Sequence, residues 1–329
     1  MPVVITSVPL QGPTGAVGSQ AAEAARLAVE DAGGPVEHLV LDAGGGPFGE
    51  HVRDNALRAA RDPDVVGYVG DFHSAATEVS LPLLEAAGVP QVSFSNTLRK
   101  LAGTTFVNVM PDDERAATAL VAWMAELGVR RPFLLDDGEE YGMDMRWVVH
   151  RELAAAGVAV AGAERLFGEA DPPPVPDDAD AVFLGAVGDR AAGELLERLP
   201  ELPLFGMDGL AFDGLARRLS PGTAGRLRLV RGPAAASDLP EAGRRMAARL
   251  GERAGGPVDP HALYAYEAMA LLLDALADAG PDRAAIVARL KATRGRDSVL
   301  GRYDIDERGA TTLPADGRLR IAGGRFEAA

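Results

Sequence analysis

The chain has 329 residues, of which 47% are hydrophobic, enough to build two domain-sized cores. A formal net charge of −15 and a sequence pI near 4.8 argue against a nucleic-acid partner or an anionic membrane surface, since both select for clustered Lys and Arg. The absence of cysteine excludes a disulfide framework and a thiolate metal site. No uninterrupted apolar window reaches the ~18 residues of a membrane span, and Met1 to Leu10 lacks the basic-then-apolar order of an export leader.

Apolar periodicity predicts alternating elements. Val3 to Pro9 reads as a strand, Gln20 to Ala32 as a helix, Val36 to Leu41 as a strand and Glu50 to Arg61 as a helix. Val65 to Val69, Ala75 to Ala87 and Pro90 to Ser93 follow as strand, helix and strand. A second series begins with a helix from Asp112 to Leu127, then a strand Phe133 to Asp136 and a helix Tyr141 to Ala156. It continues with strands Ala159 to Leu166 and Ala181 to Gly185 and a helix ending at Leu199. Such alternation predicts a doubly wound α/β fold. Gly168 to Asp180, with four prolines and four aspartates, cannot hold a helix and reads as a surface loop. Composition alone marks one domain boundary near Asn108 to Asp113.

The stretch from Val65 to Thr97 carries the first functional signal. Two buried parallel strands need a right-handed crossover, so the turns at Phe72 to Ser74 and Phe94 to Thr97 fall at strand carboxyl ends on one sheet edge. That edge is where open α/β sheets take ligands. Ser74 and Thr97 there offer hydroxyls, and the turns offer backbone N–H groups, to a small anion such as a carboxylate. Read from the residues alone, the same Ser and Thr are more often helix caps.

Other chemistries find weaker signals. Gly44, Gly46 and Gly49 satisfy GxGxxG between a strand and a helix, with Asp71 about twenty residues on, the spacing of a dinucleotide fingerprint and of a nucleotide-dependent oxidoreductase. Such a fingerprint belongs after the first strand, whereas this one follows the second, and Pro47 removes a donor from it. GxSxG is absent, and His73 beside Ser74 is adjacent in sequence without being oriented for proton transfer. His38, His51, His73, His150 and His261 form no pair at helical spacing, so no metal is expected. The run Asp136, Asp137, Glu139, Glu140 lacks the order of a calcium loop.

Taken with VVITSVPLQGPTGAVG at the start, LLDDGEEYGMDM in the middle, FGMDGL, and ALYAYEAMALLLDAL with SVLGRYDIDERGA near the end, the Val65 to Thr97 stretch resembles the type I periplasmic binding proteins of the branched-chain amino acid family. These are the solute receptors of ABC importers. The resemblance implies two doubly wound lobes, 1–110 with 232–309 and 111–231 with 310–329, joined by a three-segment hinge near Val109 to Asp112, Val230 to Gly232 and Gly309 to Thr312. It implies a non-enzymatic protein without cofactor or metal that closes on an amino acid or related small carboxylate and presents it to a membrane permease. A monomer is expected, exported to the periplasm or cell surface after loss of a leader. A ligand sensor of the same fold, without transport, is the alternative.

Carried over residue by residue, the resemblance makes Ser74 and Thr97 carboxylate ligands, with the Ser95 carbonyl directed at the ligand ammonium. Asp208 becomes the acidic partner of that ammonium and Tyr141 an aromatic that closes over the ligand, with Tyr266 a further contact. Val17 and Val187 stand where leucine-type binders place ring residues, while Phe72 and Phe94 add bulk beside the hydroxyl turns. The pocket implied is therefore apolar but differently shaped from one for leucine. The disulfide common in the family is missing, its positions being Gly45 and His73.

Overall fold

The computed structural model describes residues 1–12, 14–46, 49–97, 100–166, 171–187, 190–211, 213–232 and 239–329. The chain forms two compact units, Met1–Asp112 with Ala236–Leu313 and Asp113–Ala235 with Pro314–Ala329. The first unit opens with β1 (Val3–Val8), α1 (Gly15–Ala32), β2 (Glu37–Asp42), α2 (Val52–Arg61), β3 (Val65–Val69), α3 (Ser74–Ala86), β4 (Gln91–Ser93) and β5 (Phe106–Asn108). The second runs through α4 (Asp113–Glu126), β6 (Pro132–Asp136), α5 (Glu140–Ala155), β7 (Gly162–Arg165), β8 (Ala181–Gly185), α6 (Arg190–Arg198) and β9 (Leu204–Met207). A single 3-10 turn (Asp208–Leu210), α7 (Asp213–Ala216), α8 (Pro221–Arg226) and β10 (Leu227–Arg231) follow. The first unit resumes with α9 (Glu241–Ala254), α10 (Pro260–Ala279), α11 (Arg283–Lys291) and the hairpin β11 (Arg296–Ser298) and β12 (Gly301–Tyr303), and the second ends with β13 (Gly317–Ala322) and β14 (Arg325–Ala328).

Each unit is built on one sheet. In the first the strand order is β2-β1-β3-β4-β5, and all its pairings are parallel. In the second the order is β14-β13-β10-β9-β8-β6-β7, parallel from β10 to β7 and antiparallel at β13 and β14. Helices cover both faces, so central strands are apolar on both sides. Phe183, Phe205 and Val230 face α4 and α5, while Val182, Leu184 and Leu229 face the side of α6. The chain is thus α/β and doubly wound, as its alternation predicts.

Boundaries shift where packing overrides the sequence pattern. Helix α1 begins at Gly15 rather than Gln20, because its first turns press against the end of β1: a Cβ on Gly18 would lie 1.8 Å from the Pro9 carbonyl oxygen. The strand expected over Ala159 to Leu166 is shorter, Gly162–Arg165, and stands at the sheet edge. Residues 171–180 hold neither helix nor strand, whereas 168–170 and Pro47 lie outside the described residues. Helix α10 is buried on nearly every side, the pattern of a core helix, and Leu272 on it reaches so close to β3 that a Cβ on Gly67 would lie 2.5 Å from its Cδ2. Among the described residues no helix is long and apolar enough to cross a membrane.

Two arginines tie the later elements of the first unit to their neighbours. Arg283, at the start of α11, donates to the carbonyls of Val65 (2.8 Å), Ala87 (3.0 Å), Ala59 (3.3 Å) and Asp62 (2.6 Å). It thereby caps the ends of α2 and α3, where helix carbonyls lack partners. Arg296 of β11 donates to Glu267 of α10 (2.5 Å) and to Asp274 (2.7 Å), and Tyr303 of β12 donates to Glu267 (2.7 Å). Burial raises the Glu267 pKa against the pull of Arg296.

Candidate functional site

The carboxyl edge of the first sheet carries the two hydroxyl turns, and they are laced together. Ser95 Oγ donates to the Phe72 carbonyl at 2.5 Å, and Ser93 Oγ accepts from the Asn96 amide at 3.1 Å. Asn108 donates to the Asn96 carbonyl at 2.7 Å, fixing the second turn from β5. His73, not Ser74, occupies the N-cap of α3, and no side chain caps that helix. Ser74 is its first residue, half-buried like Thr97. The capping reading therefore does not hold for Ser74: its hydroxyl, like that of Thr97, makes no hydrogen bond among the described residues.

Beneath these turns lies a buried polar cluster. Asp71 is fully buried and accepts from the Tyr68 hydroxyl at 2.8 Å, Asn55 donates to Ser7 Oγ at 3.1 Å, and Gln91 donates to the Gly70 carbonyl (3.1 Å) and Ser80 Oγ (3.0 Å). Asp71 Oδ2 finds no partner of normal geometry among the described residues. Burial pushes the Asp71 carboxyl up to about 6, outweighing the Ser80, Tyr68 and Ser7 hydroxyls that favour the anion. A carboxyl whose folded pKa is raised stabilises the fold at pH values below its unfolded pKa, and that stabilisation is lost as pH rises through the folded value. Asp71→Asn, which keeps an acceptor for Tyr68 but cannot ionise, should melt progressively higher relative to the parent as pH rises from about 4 to 7. Parallel melting curves over that range would show that Asp71 does not titrate there.

Aromatic rings cluster on the same edge. The Phe72 ring meets His73 at 5.0 Å and 90°, His261 at 5.3 Å and 60°, and Phe94 at 6.3 Å and 50°. Phe94 is fully buried, so it supports Phe72 from below. Thr14, ahead of α1, lies 3.3 Å from His73 Nε2, which brings the start of α1, and Val17 in its first turn, toward this edge. Burial, and secondarily the His261 charge, lower the His73 pKa. His261 was not a candidate from sequence, because nothing local marks a residue at the start of a distant helix.

In the second unit, Tyr141 and Asp208 are brought together across 67 residues of sequence. Tyr141 donates to Asp208 Oδ1 at 2.5 Å, and the Gly209 amide donates to both Tyr141 Oη (3.0 Å) and Asp208 Oδ1 (2.9 Å). Asp208 Oδ2 accepts no hydrogen bond among the described residues. Burial, with the Asp208 and Asp113 charges, keeps Tyr141 protonated well above its ordinary range. The preceding turn is rigid, since buried Asp136 is held by Arg146 and by Arg165 (3.2 Å) and accepts from the Gly138 amide at 2.9 Å. Val187, exposed at the end of β8, faces the same turn through its backbone contact with Asp137.

Gly209 has no room for a side chain: a Cβ would lie 2.3 Å from Tyr141 Cε1 and 2.7 Å from the Ala186 carbonyl oxygen. Gly209→Ala should displace the tyrosine ring at a stability cost of about 1–3 kcal/mol, visible as a lowered melting temperature and an altered tyrosine band in near-ultraviolet circular dichroism. An unchanged band would mean that the ring is not held by this contact.

The structure does not bring Tyr266 to either constellation. Its hydroxyl donates to Asp31 at 2.9 Å at the exposed seam of α1 and α10, where Asp31 also pairs with Arg249 (2.7 Å). The glycine-rich turn after β2 is likewise committed locally. The Gly46 amide points to Glu50 Oε2 at 3.5 Å, and the amides of Glu50, Gly46 and Gly45 hold the Glu50 carboxyl below its usual range. A carboxylate from its own chain thus faces the amides that a dinucleotide pyrophosphate would need.

The first unit thus carries hydroxyls at two neighbouring strand ends, and the second a carboxylate hydrogen-bonded to a tyrosine. The sequence profile described as "Periplasmic binding protein" matches residues 6–319. The chain belongs to the periplasmic binding protein family, whose members bind solutes and act outside the cytoplasm. No curated protein sequence matches it. Among solved structures it is similar to a putative branched-chain amino acid ABC transporter protein from Rhodospirillum rubrum, with TM-score 0.79, 22% identity and coverage of 100% of this chain and 99% of that one. It is also similar to the leucine-binding protein LivK from Thermotoga maritima (TM-score 0.80, 19% identity, coverage 100% and 98%). A third is a solute-binding protein from R. palustris in complex with benzoate (TM-score 0.75, 15% identity, coverage 99% and 94%). At these identities the likeness establishes the type I periplasmic binding protein fold.

Proposed function

We propose that this protein is the extracytoplasmic receptor of an ABC importer and binds a small amphiphilic carboxylate, an amino acid with an apolar side chain. Ser74 and Thr97 hydrogen-bond the carboxylate, the Ser95 carbonyl and Asp208 take the ammonium, and Tyr141 covers the ligand as the two units close by bending at 109–112, 230–232 and 309–312. Val17, Val187 and Phe72 shape the side-chain space, and the closed form is what a membrane permease reads. The observation that carries this is the pair of hydroxyls at neighbouring strand ends that make no hydrogen bond among the described residues, set in turns tied to each other by Ser95 and Asn108. The neighbours bound to amino acids and to benzoate support a carboxylate as the common element.

A thermal-shift screen over amino acids and small carboxylates at millimolar concentration tests it, because a ligand at 100 times its Kd stabilises by about 2.7 kcal/mol. At least one carboxylate should raise the melting temperature, and Ser74→Ala should reduce that shift for every carboxylate that produces one. A shift that Ser74→Ala leaves untouched places the anion elsewhere.

A further inference from the structure

Resting on that reading, we infer that the ligand carries an aromatic ring, and that Phe72 and His261 are the residues that select it. Among the described phenylalanines only Phe72 and Phe326 escape full burial. Phe72 is the one placed beside the hydroxyl turn, between two imidazoles that also retain accessible surface. An apolar ring left partly open at a ligand edge is a contact surface awaiting a partner.

The position of His261 is fixed rather than incidental. Its Nδ1 lies 2.8 Å from Asp259 Oδ1, the same oxygen that accepts its backbone amide at 2.9 Å. Asp259 is the N-cap of α10, and its own amide donates to Gln20 of α1 at 2.7 Å. The imidazole is therefore oriented through a carboxylate, a cap and a neighbouring helix, and it meets Phe72 at 60°. His261 Nε2 makes no hydrogen bond among the described residues.

Rings attract one another edge to face because a positive rim meets a negative face, a preference a saturated side chain of equal bulk does not share. Phe72 already has one imidazole at 90° and another at 60°, so a third ring entering beside Ser74 continues an established edge-to-face array. Val17, in the first turn of α1 near this edge, is smaller than a ring residue and leaves room beside it. The substrate class this favours is an aromatic amino acid or an aryl carboxylate.

The test compares ligands of matched size by calorimetry: L-phenylalanine against L-cyclohexylalanine, benzoate against cyclohexanecarboxylate, with L-leucine and isovalerate alongside. The aromatic member of whichever pair binds should be held at least ~10-fold tighter, the factor that one to two edge-to-face contacts supply. Phe72→Leu and His261→Leu should each reduce the aromatic-to-saturated ratio by at least ~3-fold. Saturated ligands binding equally well or better, or leucine and isovalerate binding where neither ring pair does, overturns the aromatic assignment and leaves carboxylate recognition standing. Failure of every carboxylate to bind overturns both. The wild-type comparison decides the matter even where a variant does not fold.

Discussion

Asp208→Ala is expected to weaken amino acid binding by at least ~30-fold in calorimetry, because removing one side of a hydrogen-bonded charge pair in a closed site costs about 2–5 kcal/mol. The structure explains why the loss should exceed that of a simple surface acid. Asp208 Oδ1 is occupied by the Tyr141 hydroxyl and the Gly209 amide, so the carboxylate cannot swing away and Oδ2 is presented in a fixed direction. Asp208→Asn separates the two roles. Its oxygen can keep the Tyr141 and Gly209 bonds while its amide turns donors toward the ammonium, so amino acids should lose as much affinity as with alanine. Carboxylates without an amine should lose less. Amino acid affinity unchanged in both variants would remove Asp208 from ammonium recognition.

Arg283→Met should produce the largest loss of stability, about 3–5 kcal/mol. One side chain donates to four backbone carbonyls, of which that of Asp62 also accepts from the Val65 amide, and each acceptor thereby left without a donor costs about 1–3 kcal/mol when buried, less whatever water recovers. In a unit of this size that corresponds to a fall of upward of about 6 °C in the melting transition. Arg283→Lys should recover only part of it, since an ammonium is a compact point charge and cannot span the fork that reaches Ala59, Asp62, Val65 and Ala87. A Met variant melting within about 1 °C of the parent would show that water replaces the guanidinium fully.

Much of the fold was legible because parallel sheets covered on both faces write their strands as short, mostly apolar, β-branched runs, as in Val3 to Val8 and Val65 to Val69. The later strands were harder. Phe106–Asn108 is only three residues long and, unlike the equally short Gln91–Ser93, follows no helix that would mark it as the end of a crossover. Gly317–Ala322 did carry a signal, the alternation of Arg318, Leu319, Arg320 and Ile321, which the antiparallel β13 explains.

The candidate site divides in the same way. Ser74 and Thr97 followed from topology, since strand ends on one edge must lie close together. Tyr141 and Asp208 came only through family resemblance, and their hydrogen bond joins residues no local pattern links. His261 escaped because its meaning lies in the Phe72 ring, reached only through the tertiary packing of α10. Tyr266, carried over through the resemblance, donates to Asp31 instead, as a matched position on a helix does not say what its side chain meets.

The carboxylate of Glu50 beside the amides of Gly45 and Gly46 has a bearing on selectivity. Successive N–H groups of this kind form a concavity that attracts anions generally, and here the anion is tethered to the same loop. Inorganic phosphate, sulfate or a nucleotide in the surrounding fluid would have to evict a group whose effective concentration never falls. The turn is thereby closed to soluble competitors by a group of its own loop.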